Sequence, residues 1–379
     1  MKGMIMIAVL FLAMSPLSPP AAQAAETTPR IDFQRDLDLQ QTDEIFQRSG
    51  DETGFSLTDY VSEVMRGNVD FSLSSIGEGV LDSFGKQFGE HRKTILRILL
   101  LGVFAGVFVR FAGTIGDKEL GETGFYVVFL LLTGLVSSGF YAAYEVANEA
   151  LTYLVDFMKA LIPSFSLALI YGGGTQTSLL FYETMLVAMG LLEMLMGGFL
   201  LPGVQIYFFM NVVNQLSEHR FSRMVDLVGS ILRWSVRILF AVLIGYQGIQ
   251  GMLVPVMDKV KNNTLWQSAK GLPGVGNTVG SVLETIFGSG VLIKSAVGVG
   301  GVIGILVICI YPLLKLLVFT LVYKVSGALI QPVSDGRIVA ILQSAAASGK
   351  ILLGYVLAGA LMFTLSIAIV LVCTNMTMG

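Results

Sequence analysis

Charged residues, cysteine and histidine are all scarce in this sequence. Only 13% of its 379 residues are charged, whereas soluble domains average about a quarter. Its two cysteines, Cys309 and Cys373, lie in apolar segments without CxxC spacing, so they predict buried thiols and no disulfide framework. The two histidines, His91 and His219, are too few to build a metal or catalytic cluster. The composition excludes an ordinary soluble domain, and we expect no metal site and no cofactor.

Long apolar runs make up most of the chain, which is 54% hydrophobic. Runs of about 20 residues, the length that spans a bilayer, recur from position 94 to the end. The predicted spans lie near residues 94–115, 125–147, 178–202, 236–256, 296–322 and 351–374. The sequence therefore predicts an all-α, polytopic helical membrane protein with about six spans.

The amino-terminal sequence MKGMIMIAVLFLAMSPLSPPAAQAAE is typical of a secretory signal peptide (residues 1–25), cleaved near Ala24 or Ala25. Residues 26–93 then carry 14 acidic and 7 basic side chains. Export of this acidic segment predicts an extracytoplasmic helical region, followed by a transmembrane domain over residues 94–379.

Short helices are predicted within the acidic region. FSLTDYVSEVMRG has apolar residues at helical spacing and a start signal at Ser56 or Thr58. Because some seventy residues form only a modest core by themselves, we expect this region to dock on a partner or on its own membrane domain.

The membrane orientation follows from an outside amino terminus and six crossings. Residues 116–123, the SEHRFSR cluster and residues 324–350 are then inside, and residues 148–160 and 257–270 are outside. Lysine and arginine are divided almost evenly between the two sides, so the positive-inside rule gives this orientation little support.

One apolar run, LIPSFSLALIYGGGTQT, breaks at Gly172, Gly173, Gly174, Thr175 and Gln176. The eleven residues before the break make about 16 Å of helix, which crosses half of a hydrocarbon core of about 30 Å. Irregular backbone at that depth is tolerated only where it is buried in protein or lines a wet cavity. The pattern predicts a re-entrant helical element over residues 161–177.

A second stretch rich in glycine and proline, residues 271–295, predicts a second re-entrant element. Four prolines are predicted helix breaks: Pro163, Pro202, Pro273 and Pro312. The first two are separated by the same number of residues as the last two. This spacing suggests an internal repeat of residues 156–256 and 266–374, as found in transporter folds. Two unrelated hairpins would explain the same residues.

Charged side chains inside apolar segments are candidates for a polar path, because burying charge in a membrane is costly. Those beside the broken elements are Glu183, Glu193 and Glu284. The turn residues are candidates for the same path: Gly172, Gly173, Gly174, Thr175 and Gln176. Snorkelling to an interface is the alternative, and it is favoured for Lys159 and Lys294.

Other motifs have simpler interpretations. Arg233 and Arg237 share one helical face, which is typical of an interfacial helix. GLPGVGNT has the spacing of a phosphate-binding loop but carries Asn277 in place of the lysine, so any ATP must be hydrolysed by a partner. Because no paired aspartates, Ser/Lys pair or metal set accompanies the glutamates, we expect no enzyme activity.

The order of these segments resembles one known family. The signal peptide, the acidic segment, LIPSFSLALIYGGGTQTS and the run from Lys294 to Ile338 follow one another as in the stage III sporulation protein AE family. The likeness is strongest at Ala296-Val297-Gly298, Pro312 and Gln331-Pro332.

The resemblance implies a role that the residues alone do not reveal. Members of that family are multi-pass proteins of the mother-cell membrane around the forespore. The resemblance implies partnership with other stage III sporulation A proteins, including an ATPase, with the stage II sporulation protein Q complex and with an Oxa1/YidC-type insertase. It implies no nucleic acid partner and no catalytic residues. The expected function is a permease-like component of this secretion-like channel, needed for forespore integrity and late sigma-factor (sigma G) activity. A structural scaffold, or an autonomous proton-coupled transporter using Glu183 or Glu193, is the alternative.

Overall fold

Helices are the only regular structure among the residues that this computed structural model describes, which are 39–49, 55–66, 92–115, 118–217, 220–270 and 276–376. We number them α1 to α9, with one π-helical segment between α5 and α6. Their bounds are α1 Gln40–Arg48, α2 Leu57–Met65, α3 Arg92–Ile115, α4 Lys118–Tyr171, α5 Thr175–Leu192, the π segment Glu193–Leu200, α6 Leu201–Leu216, α7 Ser222–Lys270, α8 Gly276–Ile330 and α9 Gly336–Met376.

Five of the described helices are long and apolar enough to cross a membrane. They cover Thr123–Tyr171, Thr175–Leu216, Ser222–Ile249, Gly288–Ile330 and Gly336–Val372. The second of these continuous stretches comprises α5, the π segment and α6. The first predicted span, 94–115, forms α3, whose apolar stretch is shorter, Ile95–Phe104. The predicted all-α, polytopic membrane fold is confirmed.

The long helices form an antiparallel bundle. At one end of it, Gly290 of α8 lies against Tyr171 of α4, and further along Tyr323 of α8 lies against Gly139 of α4. With 54 residues, α4 is about 81 Å long, whereas the hydrocarbon core is about 30 Å thick. The bundle is therefore much taller than a bilayer requires.

We call the two ends of the bundle the turn end, which contains Gly172–Gly174, and the loop end. At the loop end, Asn214 Oδ1 accepts a hydrogen bond of 2.9 Å from the backbone N–H of Phe221. The guanidinium of Arg337 lies 3.9 Å from the centre of the Phe125 ring, so the start of α9 packs on the start of α4. The start of α4 and the start of α9, both next to connections predicted to face the inner side of the membrane, thus lie together. Residues 148–160, predicted to lie outside the membrane, continue α4 as helix, and the side on which they lie stays a prediction.

The predicted half-helix before the glycines is corrected by the structure, because it is the last part of α4 and continues through Pro163. Proline is tolerated inside membrane helices when neighbouring groups satisfy the freed backbone. In the second stretch, residues 276–295 belong to the uninterrupted helix α8, which also contains Pro312. Pro202 stands in the first turn of α6, directly after the π segment. Pro273 lies outside the described residues, and the internal repeat stays a prediction.

The described part of the acidic region docks on the membrane domain of its own chain. Phe46 of α1 is buried with its ring centre 5.3 Å from that of Phe157 in α4. On α8, Gly300 leaves room for Leu57 and Tyr60 of α2, and burial there raises the pKa of the Tyr60 hydroxyl. Ser56 caps α2, accepting a hydrogen bond of 3.2 Å from the Asp59 N–H, which confirms one of the two predicted caps. The predicted signal peptide lies outside the described residues.

Candidate functional site

The glycine turn between α4 and α5 satisfies its own backbone groups. Gly173 has φ 80°, a left-handed conformation that glycine adopts without strain. The Gly174 N–H donates to Leu169 O and the Gly173 N–H to Ile170 O, both at 2.9 Å. These two bonds form a Schellman motif, which caps the last carbonyls of α4. The turn itself therefore does not require a hydrated cavity, although the predicted helix break is confirmed.

Close packing holds this turn against the rest of the bundle. Ser178 Oγ donates a buried hydrogen bond of 2.8 Å to Ser166 O, joining α5 to α4. A Cβ built on Gly290 of α8 would lie 2.1 Å from Tyr171 O, so the two backbones meet where only glycine fits. The glycine turn is thus buried and closely packed against α5 and α8.

The ammonium group of Lys294 is buried beside the glycine turn. The side chain is only 1% exposed. Its Nζ donates a hydrogen bond of 3.0 Å to Thr374 Oγ1 of α9, and a Cβ built on Gly172 would lie 3.4 Å from its Cδ. The snorkelling predicted for Lys294 is therefore wrong, because its charge points into the bundle.

Electrostatics at this position favours a cation. Both α4 and α9 end close to Lys294, and the carboxyl ends of helices carry partial negative charge. Thr374 Oγ1 passes its own proton to Val370 O at 2.7 Å, so its lone pairs are available to the ammonium. Lysine carries three donors, and this hydroxyl is the hydrogen-bond partner that the described part of the chain provides. We call Lys294, Thr374 and Gly172 the lysine niche.

The carboxylates predicted for a polar path do not converge on the niche. Glu183 is exposed on α5, and Glu193 is 52% exposed where the π segment begins, ion-paired with Lys159 of α4. Glu284 lies in α8, and its side chain is outside the described part of the structure. Of the predicted turn residues, Gly172, Gly173 and Gly174 are buried, Gln176 is partly buried and Thr175 is exposed.

Two polar features escaped sequence reasoning. The burial of Lys294 is one, and no local pattern distinguishes it from a snorkelling lysine. The other is a row of exposed polar residues on α4: Glu145, Glu149, Thr152, Asp156 and Lys159. Their alternating spacing of four and three places them on one helical face and could have been read from the sequence. Across the described residues, no group of three metal-ligating side chains occurs.

Comparison with known proteins finds a matching family. Residues 55–374 match the family described as stage III sporulation protein AE. A protein of that name from Bacillus subtilis (strain 168) is 22% identical over 288 residues, which cover 76% of this chain and 72% of the relative. No solved structure matches.

Proposed function

Because the chain belongs to the stage III sporulation protein AE family, we propose that it is the permease-like membrane component of a transenvelope channel that supports forespore development. Membership of the family supports a role in sporulation, and the five apolar helices support a multi-pass membrane location. The permease-like role is our extension from the chemistry of the niche.

Lys294 is the observation that carries this extension. Charges inside membrane segments are rare, face the bundle interior and commonly mark the paths of ions or substrates. Here the ammonium is buried in the candidate span Gly288–Ile330, about 9 Å further towards the turn end than Gly300, where the acidic region docks. We therefore propose that it stands beside a helix break at the extracytoplasmic mouth of the path. Two donors of the ammonium remain for water or a passing acceptor in addition to the bond to Thr374.

The proposed setting follows the family. We propose that the chain lies in the mother-cell membrane around the forespore, with its signal peptide removed and the acidic region outside the cytoplasm. Its proposed partners are the other stage III sporulation A proteins, the stage II sporulation protein Q complex and an Oxa1/YidC-type insertase. We propose that a partner ATPase supplies energy and that this chain itself is no enzyme.

Two other functions compete with this proposal. An autonomous proton-coupled carrier needs a carboxylate in the path, and both Glu183 and Glu193 are instead at the surface of the bundle. A scaffold without a path needs only close helix packing, which Gly290 provides. The scaffold is therefore the alternative that an experiment must separate from our proposal.

The test removes the charge of Lys294 while keeping the shape of its side chain. Lys294→Met should leave the amount of protein in the membrane unchanged and should abolish late sigma-factor reporter activity in sporulating cells. The matched control is Lys324→Met, because Lys324 is exposed on the same helix. It should retain both protein and reporter activity.

Normal reporter activity in Lys294→Met would contradict the permease-like role and leave the scaffold. Should the variant fail to accumulate, Thr374→Val provides a second test, since it keeps the charge and removes its hydroxyl partner. A path that uses the ammonium predicts reduced reporter activity at normal protein level, whereas a scaffold predicts full activity.

A further inference from the structure

The acidic stripe, which we define as Glu145, Glu149 and Asp156 of α4, lies on the outside of a bundle of apolar helices. All three side chains are exposed, and neither Glu145 nor Glu149 has an ion-pair partner in the described part of the chain. The opposite face of the same helix is buried throughout, at Ala147, Leu151, Leu154, Phe157 and Met158. The stripe is therefore a separate surface of a well-packed helix.

An arginine pair, Arg233 and Arg237 of α7, lies on another outer surface. Both side chains are exposed and, within the described residues, neither forms an ion pair. Arg233 Nη2 lies 3.5 Å from Ser230 Oγ, a long hydrogen bond. Large apolar side chains flank the pair, with Trp234 62% and Ile238 49% exposed. The pair thus offers positive charge within an otherwise apolar surface.

The two surfaces lie at nearly the same height along the bundle, because both helices pack on α9. Tyr355 Oη of α9 donates to Leu232 O of α7 at 3.3 Å, beside Arg233. One turn further along α9, a Cβ built on Gly359 would lie 3.1 Å from Leu151 Cδ2 of α4, between Glu149 and Thr152. The offset between these contacts is about 6 Å, four residues of helical rise. Helix α9 separates the two surfaces.

We propose that copies of this chain associate side by side, with the acidic stripe of one copy against the arginine pair of the next. Copies inserted in the same orientation share their height in the bilayer, so two charged surfaces meet only when their heights agree. Since the two surfaces differ, the contact is heterologous and generates a ring or a row of copies. Opposite charges on two facing surfaces orient the partners and favour their association, and a second copy supplies charges of both signs at the required height.

This association is independent of the lysine niche, which lies at the turn end and uses none of these residues. A water-filled groove along the stripe, or lipid headgroups on the arginines, would satisfy each surface separately. Neither would bring the two surfaces together, which is what the test measures.

Cross-linking between two differently tagged forms of the full chain tests the contact. In both forms Cys309 and Cys373 are replaced by alanine; one form then carries Asn148→Cys and the other Ser230→Cys. Both new cysteines are at exposed positions beside the charged groups and leave every charge in place. With both forms co-expressed in one membrane, a short bis-maleimide should join the two tags. Replacing Ser230→Cys by the matched control Val242→Cys, also exposed but apolar in its surroundings, should give little product.

Charge reversal then identifies the interaction. Glu149→Arg in the Asn148→Cys form, or Arg233→Glu in the Ser230→Cys form, should lower the cross-linked product about fivefold, the change expected for one charge pair worth about 1 kcal/mol. Combining the two reversals should restore it. Equal product with the Val242→Cys control, stronger joining of two Asn148→Cys copies, or no product at all would overturn the proposal. The reporter result for Lys294→Met bears on the niche alone, so failures of the two proposals are distinguishable.

Discussion

Replacing Gly290 by alanine should weaken the contact between α8 and the glycine turn. The added Cβ would lie 2.1 Å from Tyr171 O, 2.3 Å from Tyr171 C and 2.8 Å from Gly172 N, and all three are backbone atoms that cannot rotate away. Relieving these contacts requires α8 to shift away from α4. Such overpacking costs about 1–3 kcal/mol, which outweighs the gain of about 1 kcal/mol in helix propensity.

The matched control is Gly288→Ala, two residues earlier in the same helix. A Cβ built at Gly288 meets nothing within 4 Å, so this variant should be as stable as the parent or up to about 1 kcal/mol more stable. The measurement is the free energy of unfolding of purified protein in detergent micelles, followed by tryptophan fluorescence. If Gly290→Ala were as stable as Gly288→Ala, the close approach of the two backbones would be refuted.

Two further predictions concern the turn and the acidic region. Because Gly173 has φ 80°, Gly173→Val should lower the free energy of unfolding by about 1–3 kcal/mol, and Gly173→Asn should lower it distinctly less. Equal melting temperatures of the two variants in detergent would contradict the left-handed turn. Asp43 of α1 accepts hydrogen bonds from the Leu57 N–H at 2.7 Å and from Ser56 Oγ at 3.1 Å, which fixes the start of α2. Asp43→Ala should therefore lower the free energy of unfolding by about 1–2 kcal/mol and make α2 accessible to limited proteolysis of the intact chain. Glu63→Ala, a control at an exposed position, should have neither effect. Identical digestion of the two variants would argue against this cap.

The fold was predictable where a pattern is local. Apolar runs of bilayer length gave the membrane helices, and the serine before α2 gave its cap. The break at Gly172–Gly174 was predictable too, because three consecutive glycines cannot continue a helix that their neighbours would otherwise favour.

Helix lengths were not predictable, because they depend on tertiary contacts. Pro163 and Pro312 signal breaks in an isolated helix, and both lie inside long helices of the packed bundle. The polar residues after position 147 predicted the end of a span there, yet α4 continues, with its apolar residues facing the core and its charges facing outwards. Packing on α8 and α9 thus overrides local signals.

The candidate site was only partly predictable for a similar reason. The sequence placed Lys294 in an apolar helix, but whether its long side chain turns inwards depends on Thr374 and Gly172, which are distant in the chain. The same distance hid the pairing of Lys159 with Glu193. Charges in membrane helices can be found from sequence, whereas their partners require the fold.

The most direct test of the account is to map the two ends of the bundle to opposite sides of the membrane. Glu63, on α2, and Arg220, in the turn before α7, are both exposed. In chains without native cysteines, produced in non-sporulating cells so that the outer side of the membrane faces the medium, Glu63→Cys should react with a membrane-impermeant maleimide in intact cells, and Arg220→Cys only after permeabilisation. Labelling of both positions from the same side would contradict a bundle that crosses the membrane from the docked acidic region to the loop end.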